Sequence, residues 1–197
     1  MHSLYRYLQH APRASILALI AIAAFPYNQW IRGVLDASYA ASNFPVPYFV
    51  QQMSFSGARM KQWYAYMVEQ GTMDRYITTQ HIDFAFMLSV LLLHVSVLLL
   101  ISRGFQAGSR GRKAMVVCAL LSALAPLCDA LENLVSYLML ADSTGFPEAL
   151  AYIYSSFAVM KFAAFVLAYA AAIIGLLAAL VLLLRRRGAA QLAGQQS

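Results

Sequence analysis

The sequence predicts an all-α polytopic membrane protein: a four-helix transmembrane bundle with an amphipathic helix between the first and second spans. Hydrophobic residues make up 61% of the 197-residue chain and charged residues only 11%, whereas soluble domains carry about 25% charged residues. The apolar residues fall into runs long enough to cross a bilayer, and basic residues gather at the ends of these runs. The formal charge of +6 is therefore not spread over one soluble face, which excludes a nucleic-acid-binding surface.

A basic leader, residues 1–13, precedes the first apolar run, Ala14 to Phe25. This run alone is short for a membrane span, and two interpretations stay open. One is a retained helix over residues 14–31, with Trp30 in the aromatic belt at the membrane interface. The other is a signal peptide with Ala21-Ile22-Ala23 as its cleavage site. Retention is favoured because it gives four spans, which fits the distribution of basic residues.

A long, aromatic and mildly polar segment, residues 32–78, is predicted to lie outside the hydrocarbon. The prolines of Phe44-Pro45-Val46-Pro47 interrupt any helix there. From Ser56 to Gln70 the pattern indicates a short amphipathic helix that ends before Gly71. Its apolar face carries Met60, Trp63, Tyr64 and Met67. This helix either packs on the bundle or the membrane interface, or forms a lid over a ligand site.

The three remaining spans are predicted at residues 79–102, 114–141 and 149–184. Thr78 or Thr79 is expected to cap the first of these, with Asp83 one turn inside. Pro126 is expected to kink the next span. The last span is too long for one straight crossing and is followed by a tail, residues 188–197, that is expected to be disordered in the cytoplasm. Residues 14–187 thus form a single transmembrane domain.

Basic residues also predict the orientation of the chain. The leader, the loop at residues 103–113 and the cluster at residues 185–187 are basic, whereas the turn at residues 142–147 has no basic residue. Positively charged loops stay in the cytoplasm. We therefore expect an integral protein of the cell (inner) membrane with both termini cytoplasmic.

The third span contains four polar residues on one helical face. Asp129, Glu132, Asn133 and Ser136 are spaced i, i+3, i+4 and i+7. Carboxylates at membrane depth are costly and seldom face lipid. This face must therefore contact protein, water or a ligand.

The fourth span supplies a basic partner at a similar depth. Counted from the outer ends of their spans at about 1.5 Å per residue, Glu132, Asp129 and Lys161 lie about 12, 16 and 18 Å deep. Sequential spans are antiparallel, so these three side chains can meet. The sequence predicts a salt bridge from Lys161 to Glu132 or Asp129, with Asn133 or Tyr154 adding hydrogen bonds.

Two roles stay open for this polar site. It is either a structural ion pair that fixes helix register, or a functional site that opens outward with Asp83 at its mouth. The candidate binding residues are Asp83, Asp129, Glu132, Asn133, Ser136, Tyr154 and Lys161. The catalytic candidates are Asp129 and Glu132 as paired acid and base, with Lys161 and Asp83 beside them.

Several chemistries are disfavoured by the sequence. No HExxH, GxSxG or phosphate-binding loop motif is present. His94 lies about 16 Å from Asp83 along one helix, which is too far for shared zinc ligation. The sequence predicts no metal and no cofactor. An ion pathway is also disfavoured, because the inner halves of the spans hold little polar besides His94 and Ser122.

The four-span layout with buried acids resembles the EXPERA group of sterol isomerases and lipid-binding membrane proteins. The resemblance is one of architecture, and no functional residue is carried over from it. The sequence predicts a binding or assembly role, with membrane lipids, an apolar small molecule or a membrane-protein partner, and no nucleic acid. An intramembrane lipid-modifying enzyme is the alternative.

Overall fold

A computed structural model describes residues 2–194 as eight helices with no strand among them. The helices are α1 (His2–Leu8), α2 (Ala14–Ala41), α3 (Tyr48–Gln52), α4 (Gly57–Glu69), α5 (Met73–Arg103), α6 (Arg110–Ser122), α7 (Leu124–Ala141) and α8 (Glu148–Gly194). Four stretches are long and apolar enough to cross a membrane: α2, α5, α6 with α7, and α8 as far as Gly188. The chain is therefore an all-helical integral membrane protein.

Helix α2 extends to Ala41, well past the expected end at residue 31. Pro26 lies inside this helix without ending it. Beyond the apolar stretch, Arg32 and Asp36 form an i,i+4 ion pair at 3.8 Å, a spacing that supports a helix. The hydroxyls of Ser38 and Thr79 lie 2.7 Å apart and join this end of α2 to α5. Helical structure thus continues after the hydrophobic run has stopped.

Helix α5 begins at Met73, and the expected cap at Thr78 or Thr79 is wrong. Thr72 precedes the helix, and Asp74 lies in its first turn, where the helix dipole favours a carboxylate. Asp83 is consequently well inside α5 rather than one turn from its start. The connection between α2 and α5 is shorter than the expected segment at residues 32–78.

The third span is interrupted, and the fourth is longer than expected. Helix α6 ends at Ser122 and α7 begins at Leu124, so Pro126 falls in the first turn of α7, where the missing amide hydrogen costs little. Helix α8 runs to Gly194 and so includes residues 188–194 of the expected tail. Alanine, leucine and glutamine in this stretch are compatible with a helix. The last three residues of the expected tail, 195–197, lie outside the described residues.

A helix is present where the amphipathic pattern predicts one, as α4. Ser56 is its N-cap and accepts a hydrogen bond from the Arg59 amide at 3.3 Å. Met60, Tyr64 and Met67 are fully buried, and Trp63 packs partly buried against the same cluster. The first amide of α4, at Gly57, donates to the Glu148 carboxylate at 2.8 Å and so ties α4 to the start of α8.

The long helices pack as two principal pairs, α2 with α5 and α7 with α8, and α5 also contacts α6, α7 and α8. One apolar cluster surrounds Tyr64 and Met139, and a second surrounds Leu98 and Val116. Within the described chain, no extended contact joins α2 to α8. These two helices are therefore separated across part of the structure.

Candidate functional site

Lys161 is the centre of a buried ion cluster that joins α7 and α8. Its Nζ lies 2.8 Å from Asp129 Oδ1 and 2.6 Å from Glu132 Oε2. The side chains of Lys161, Asp129 and Glu132 are 5%, 6% and 0% exposed, respectively. The predicted salt bridge is confirmed, and it reaches both carboxylates rather than one. We call these three residues the acid–lysine cluster.

The short turn between α7 and α8 brings this cluster together. Asp142 accepts a hydrogen bond from the Gly145 amide at 2.9 Å and so closes a tight reversal. The two helices then run antiparallel, and residues at equal distances from the turn meet. All four polar positions of the predicted α7 face are buried: Asp129, Glu132, Asn133 and Ser136. No charge on this face is left to lipid.

Asn133 extends the site to α5 rather than to Lys161. Its amide donates to Asp83 Oδ2 at 2.8 Å. This bond joins Asp83 of α5 to the α7 face that carries the acid–lysine cluster. Tyr154 is buried beside Glu132, but Glu132 Oε1 has no hydrogen-bond partner within residues 2–194. Asn133 does not make the additional hydrogen bond to the ion pair that was expected of it, because its amide donates to Asp83 instead.

Ser136 belongs to a neighbouring buried polar network. Gln80 donates to Ser136 Oγ at 2.6 Å, and Gln51 donates to the Tyr76 hydroxyl at 2.5 Å. Sequence reasoning missed all three partners of this network, although a signal was present. Tyr76, Gln80 and Asp83 are spaced i, i+4 and i+7 and so share one face of α5.

A cavity of about 630 Å³ lies against these residues. Its polar wall includes Asp83, Asp129, Asn133 and Lys161. Most of its other wall is apolar or aromatic and includes Phe86, Val90, Leu93, Phe162, Phe165 and Ala168. Glu132 is not part of the wall. Of the acid–lysine cluster, Asp129 and Lys161 are thus the members that a molecule in the cavity would meet.

The cavity opens between α2 and α8. On the α2 side, Phe25 and Arg32 line the wall and yet are exposed. On the α8 side, Tyr169 does the same, with 56% of its surface exposed. Gln29, Arg32 and Asp36 share one face of α2 at i, i+3 and i+7, so the margin nearest the end of α2 is polar. This stripe was also missed, because it begins where the apolar run ends.

The two ends of the cavity differ in chemistry. Tyr48 and Gln51 of the short helix α3 line the end near Asp36. At the other end, the His94 ring packs edge-to-face on Phe165 and Tyr169, with centroid distances of 5.7 and 5.0 Å. His94 and Asp83 are about 16 Å apart along α5. The cavity therefore spans a length suited to a chain-like molecule with one polar end.

Metal ligation receives no support from the positions of the side chains. Among residues 2–194, no group of three or more histidine, cysteine, aspartate or glutamate side chains is arranged to hold a metal ion. Cys118 and Cys128 are both free thiols. Ion pairing and hydrogen bonding are the interactions that this site offers.

The fold and the site together define an all-helical integral membrane protein in which a charged cluster faces an internal cavity. No protein-family model matches the chain, no curated protein matches its sequence, and no solved structure matches its fold. The function of the protein must therefore be inferred from the chemistry of the site itself.

Proposed function

We propose that this protein binds a lipid-like amphiphile in the cavity between α2 and α8. The polar group of the ligand contacts Asp83, Asp129 and Lys161, and its hydrocarbon part extends toward His94. One observation carries this proposal: a buried charged cluster faces a largely apolar cavity that opens to the side between two long helices. A purely structural ion pair has no need of such a space.

The size and the wall of the cavity support a small-molecule ligand. Pockets for small ligands have volumes of about 300–1,000 Å³ and are mostly apolar with a few placed polar groups. The cavity has both properties. An opening between two apolar helices admits molecules that are already dissolved in the bilayer.

We further propose the orientation that the basic residues predict, with both termini in the cytoplasm of an inner membrane. In that orientation α3 and α4 lie on the outer side, and Tyr48 and Gln51 of α3 line the polar end of the cavity. The bond from the Gly57 amide to Glu148 ties α4 to the start of α8 on the same side. The ligand enters from the outer half of the bilayer.

A lipid-modifying enzyme with Asp129 and Glu132 as acid and base is the second candidate, and it has weaker support. Both carboxylates are engaged by Lys161. Glu132 does not line the cavity, so a bound substrate would meet Asp129 and Asp83 instead. The binding proposal, by contrast, requires only side chains that line the cavity, such as Asp83, Asp129 and Lys161.

Photolabelling in phosphatidylcholine nanodiscs tests the binding proposal. The probe is a long-chain alcohol with a diazirine in its chain, and labelled peptides are located by mass spectrometry. We expect labels on the cavity wall, at Phe86, Val90 or Phe162. Ala168→Trp should remove these labels, because Ala168 is 5% exposed and lines the cavity.

Leu167→Trp is the matched control, since Leu167 is the adjacent residue, is 70% exposed and does not line the cavity. It should keep the labels. Val90→Phe is a smaller obstruction that serves if Ala168→Trp does not fold. Equal labelling of the cavity wall in the obstructed and control proteins would show that the cavity does not bind the probe.

A further inference from the structure

The charges around the cavity do not balance. Asp83, Asp129 and Glu132 contribute three carboxyl groups, and Lys161 contributes one ammonium group. Lys161 is already bonded to Asp129 and Glu132. Within residues 2–194, the charged pairs at this site include none with Asp83.

Asp83 is placed to meet a ligand. Its Oδ2 accepts the Asn133 amide at 2.8 Å, and no described side chain donates to its Oδ1. The residue is half-buried and lines the cavity. Arg32, the other cation of the wall, is paired with Asp36 near the end of α2. A carboxylate in this position is stabilised by a cation that arrives from the cavity.

Aromatic rings line the same cavity as Asp83. Tyr39, Tyr76, Phe86 and Phe162 all line it. The Phe162 ring already lies close to a cation, because its centroid is 5.2 Å from Lys161 Nζ. Ring faces attract ammonium groups, most strongly where water is excluded. A cavity lined by a carboxylate and by aromatic rings favours a cationic group over an anionic one.

We propose that the ligand of this cavity is an amphiphilic amine whose ammonium group binds Asp83. The assignment rests on the proposed function, because it requires that the cavity holds an amphiphile. The ammonium group donates to Asp83 Oδ1, and the hydrocarbon chain lies along Val90, Leu93 and Phe165. A fatty acid would bring a fourth carboxylate to the site, and like charges in a poorly solvated space repel strongly.

Competition against the neutral photoprobe tests the assignment in the same nanodiscs at pH 7. Dodecylamine, dodecanol and dodecanoate have chains of equal length and differ in head group. We expect dodecylamine to compete about tenfold better than dodecanol, the factor that one charge-assisted hydrogen bond gives. Dodecanoate should be the weakest competitor.

Asp83→Asn keeps an oxygen that accepts the Asn133 amide and removes the charge. It should abolish the preference for the amine, so that dodecylamine competes no better than dodecanol. Asp74→Asn removes a carboxylate from the exposed first turn of the same helix and should preserve the preference. A melting temperature measured for each variant shows that it is folded.

The outcomes separate the two proposals. If the probe labels the cavity but dodecanol competes as well as dodecylamine, or if Asp83→Asn retains the preference, the amine assignment is overturned and amphiphile binding stands. If the probe does not label the cavity, both proposals fail. Lysophosphatidylethanolamine is a further competitor. If it competes with the photoprobe as well as dodecylamine does, the ammonium group can be carried by a phospholipid head group. If it does not compete, the ligand is a simple amine.

Discussion

Replacing Lys161 by methionine removes the ammonium group that lies between Asp129 and Glu132. The substitution is close to conservative in length and flexibility, so the main change is in charge. Both carboxylates are almost completely buried. Without Lys161 they must either stay charged in a poorly solvated interior or take up protons.

The expected loss of stability results from that burial. Breaking a buried pair by removing one partner costs about 3–5 kcal/mol, because the survivor is an uncompensated charge. For a chain of this size, that loss lowers the melting temperature by about 10 °C. Lys161→Met combined with Asp129→Asn and Glu132→Gln removes the surviving charges and should recover more than half of the loss.

Thermal unfolding of the detergent-solubilised protein, followed by intrinsic fluorescence, measures these differences. Lys113→Met is the control, because Lys113 is exposed near the start of α6 and its loss should cost at most about 0.5 kcal/mol. If Lys161→Met is as stable as Lys113→Met, the acid–lysine cluster does not stabilise the fold and the expected cost of an unpaired buried charge is refuted. Photolabelling of the triple variant distinguishes a structural from a functional role of the acid–lysine cluster. A structural role predicts that the triple variant still binds the probe, and a functional role predicts a stable protein that does not bind it.

Four further predictions concern other parts of the chain. In a protein with Cys118 and Cys128 replaced by alanine, a membrane-impermeant maleimide applied to intact cells should label Thr144→Cys and should not label Ala107→Cys. The reverse pattern would contradict the proposed topology. Gln80→Leu and Ser136→Ala should each lower the free energy of unfolding by about 1–3 kcal/mol, because each leaves a buried polar group unpaired. The double variant should cost less than the sum of the two, and strict additivity would contradict the hydrogen bond. Glu148→Ala should destabilise the protein by about 1 kcal/mol through loss of the bond to the Gly57 amide, whereas Glu69→Ala, at an exposed position, should not. Burial raises the pKa of Tyr64 well above its ordinary value of 10.0, so the neutral phenol stabilises the fold fully below pH 10.0 and this stabilisation is lost as the pH rises further. Tyr64→Phe should therefore reduce the loss of stability at alkaline pH, and an unchanged loss would exclude Tyr64 as its source.

Features that depend on a single helix face or a single apolar run could be predicted from the sequence. The third span could be recognised as polar on one face from the spacing of Asp129, Glu132, Asn133 and Ser136 alone. Equal distance from a short turn then identified Lys161 as the partner, and the ion pairs are present. The helix at Gly57–Glu69 could be recognised in the same way from the spacing of Met60, Tyr64 and Met67.

Helix ends were predicted poorly, and the reason is common to α2, α5 and α8. The expected bounds followed the apolar runs, because hydrophobicity indicates where a chain crosses a bilayer. A helix continues as long as its backbone hydrogen bonds and local side-chain pairs allow. The Arg32–Asp36 pair lies in the part of α2 beyond the apolar run and supports a helix there, and α5 begins before the apolar run, at Met73.

The sequence by itself determined that this chain is a membrane protein, that it has four apolar helical stretches and that a lysine pairs with buried acids. Each of these depends on composition, on periodicity along one helix, or on the antiparallel arrangement that a short turn imposes. Only the tertiary structure decided that Asn133 bonds to Asp83, that Glu132 is turned away from the cavity, and that α2 and α8 stand apart. These depend on the rotation and separation of helices that are distant in the chain, and such quantities arise from the packing of all the side chains together.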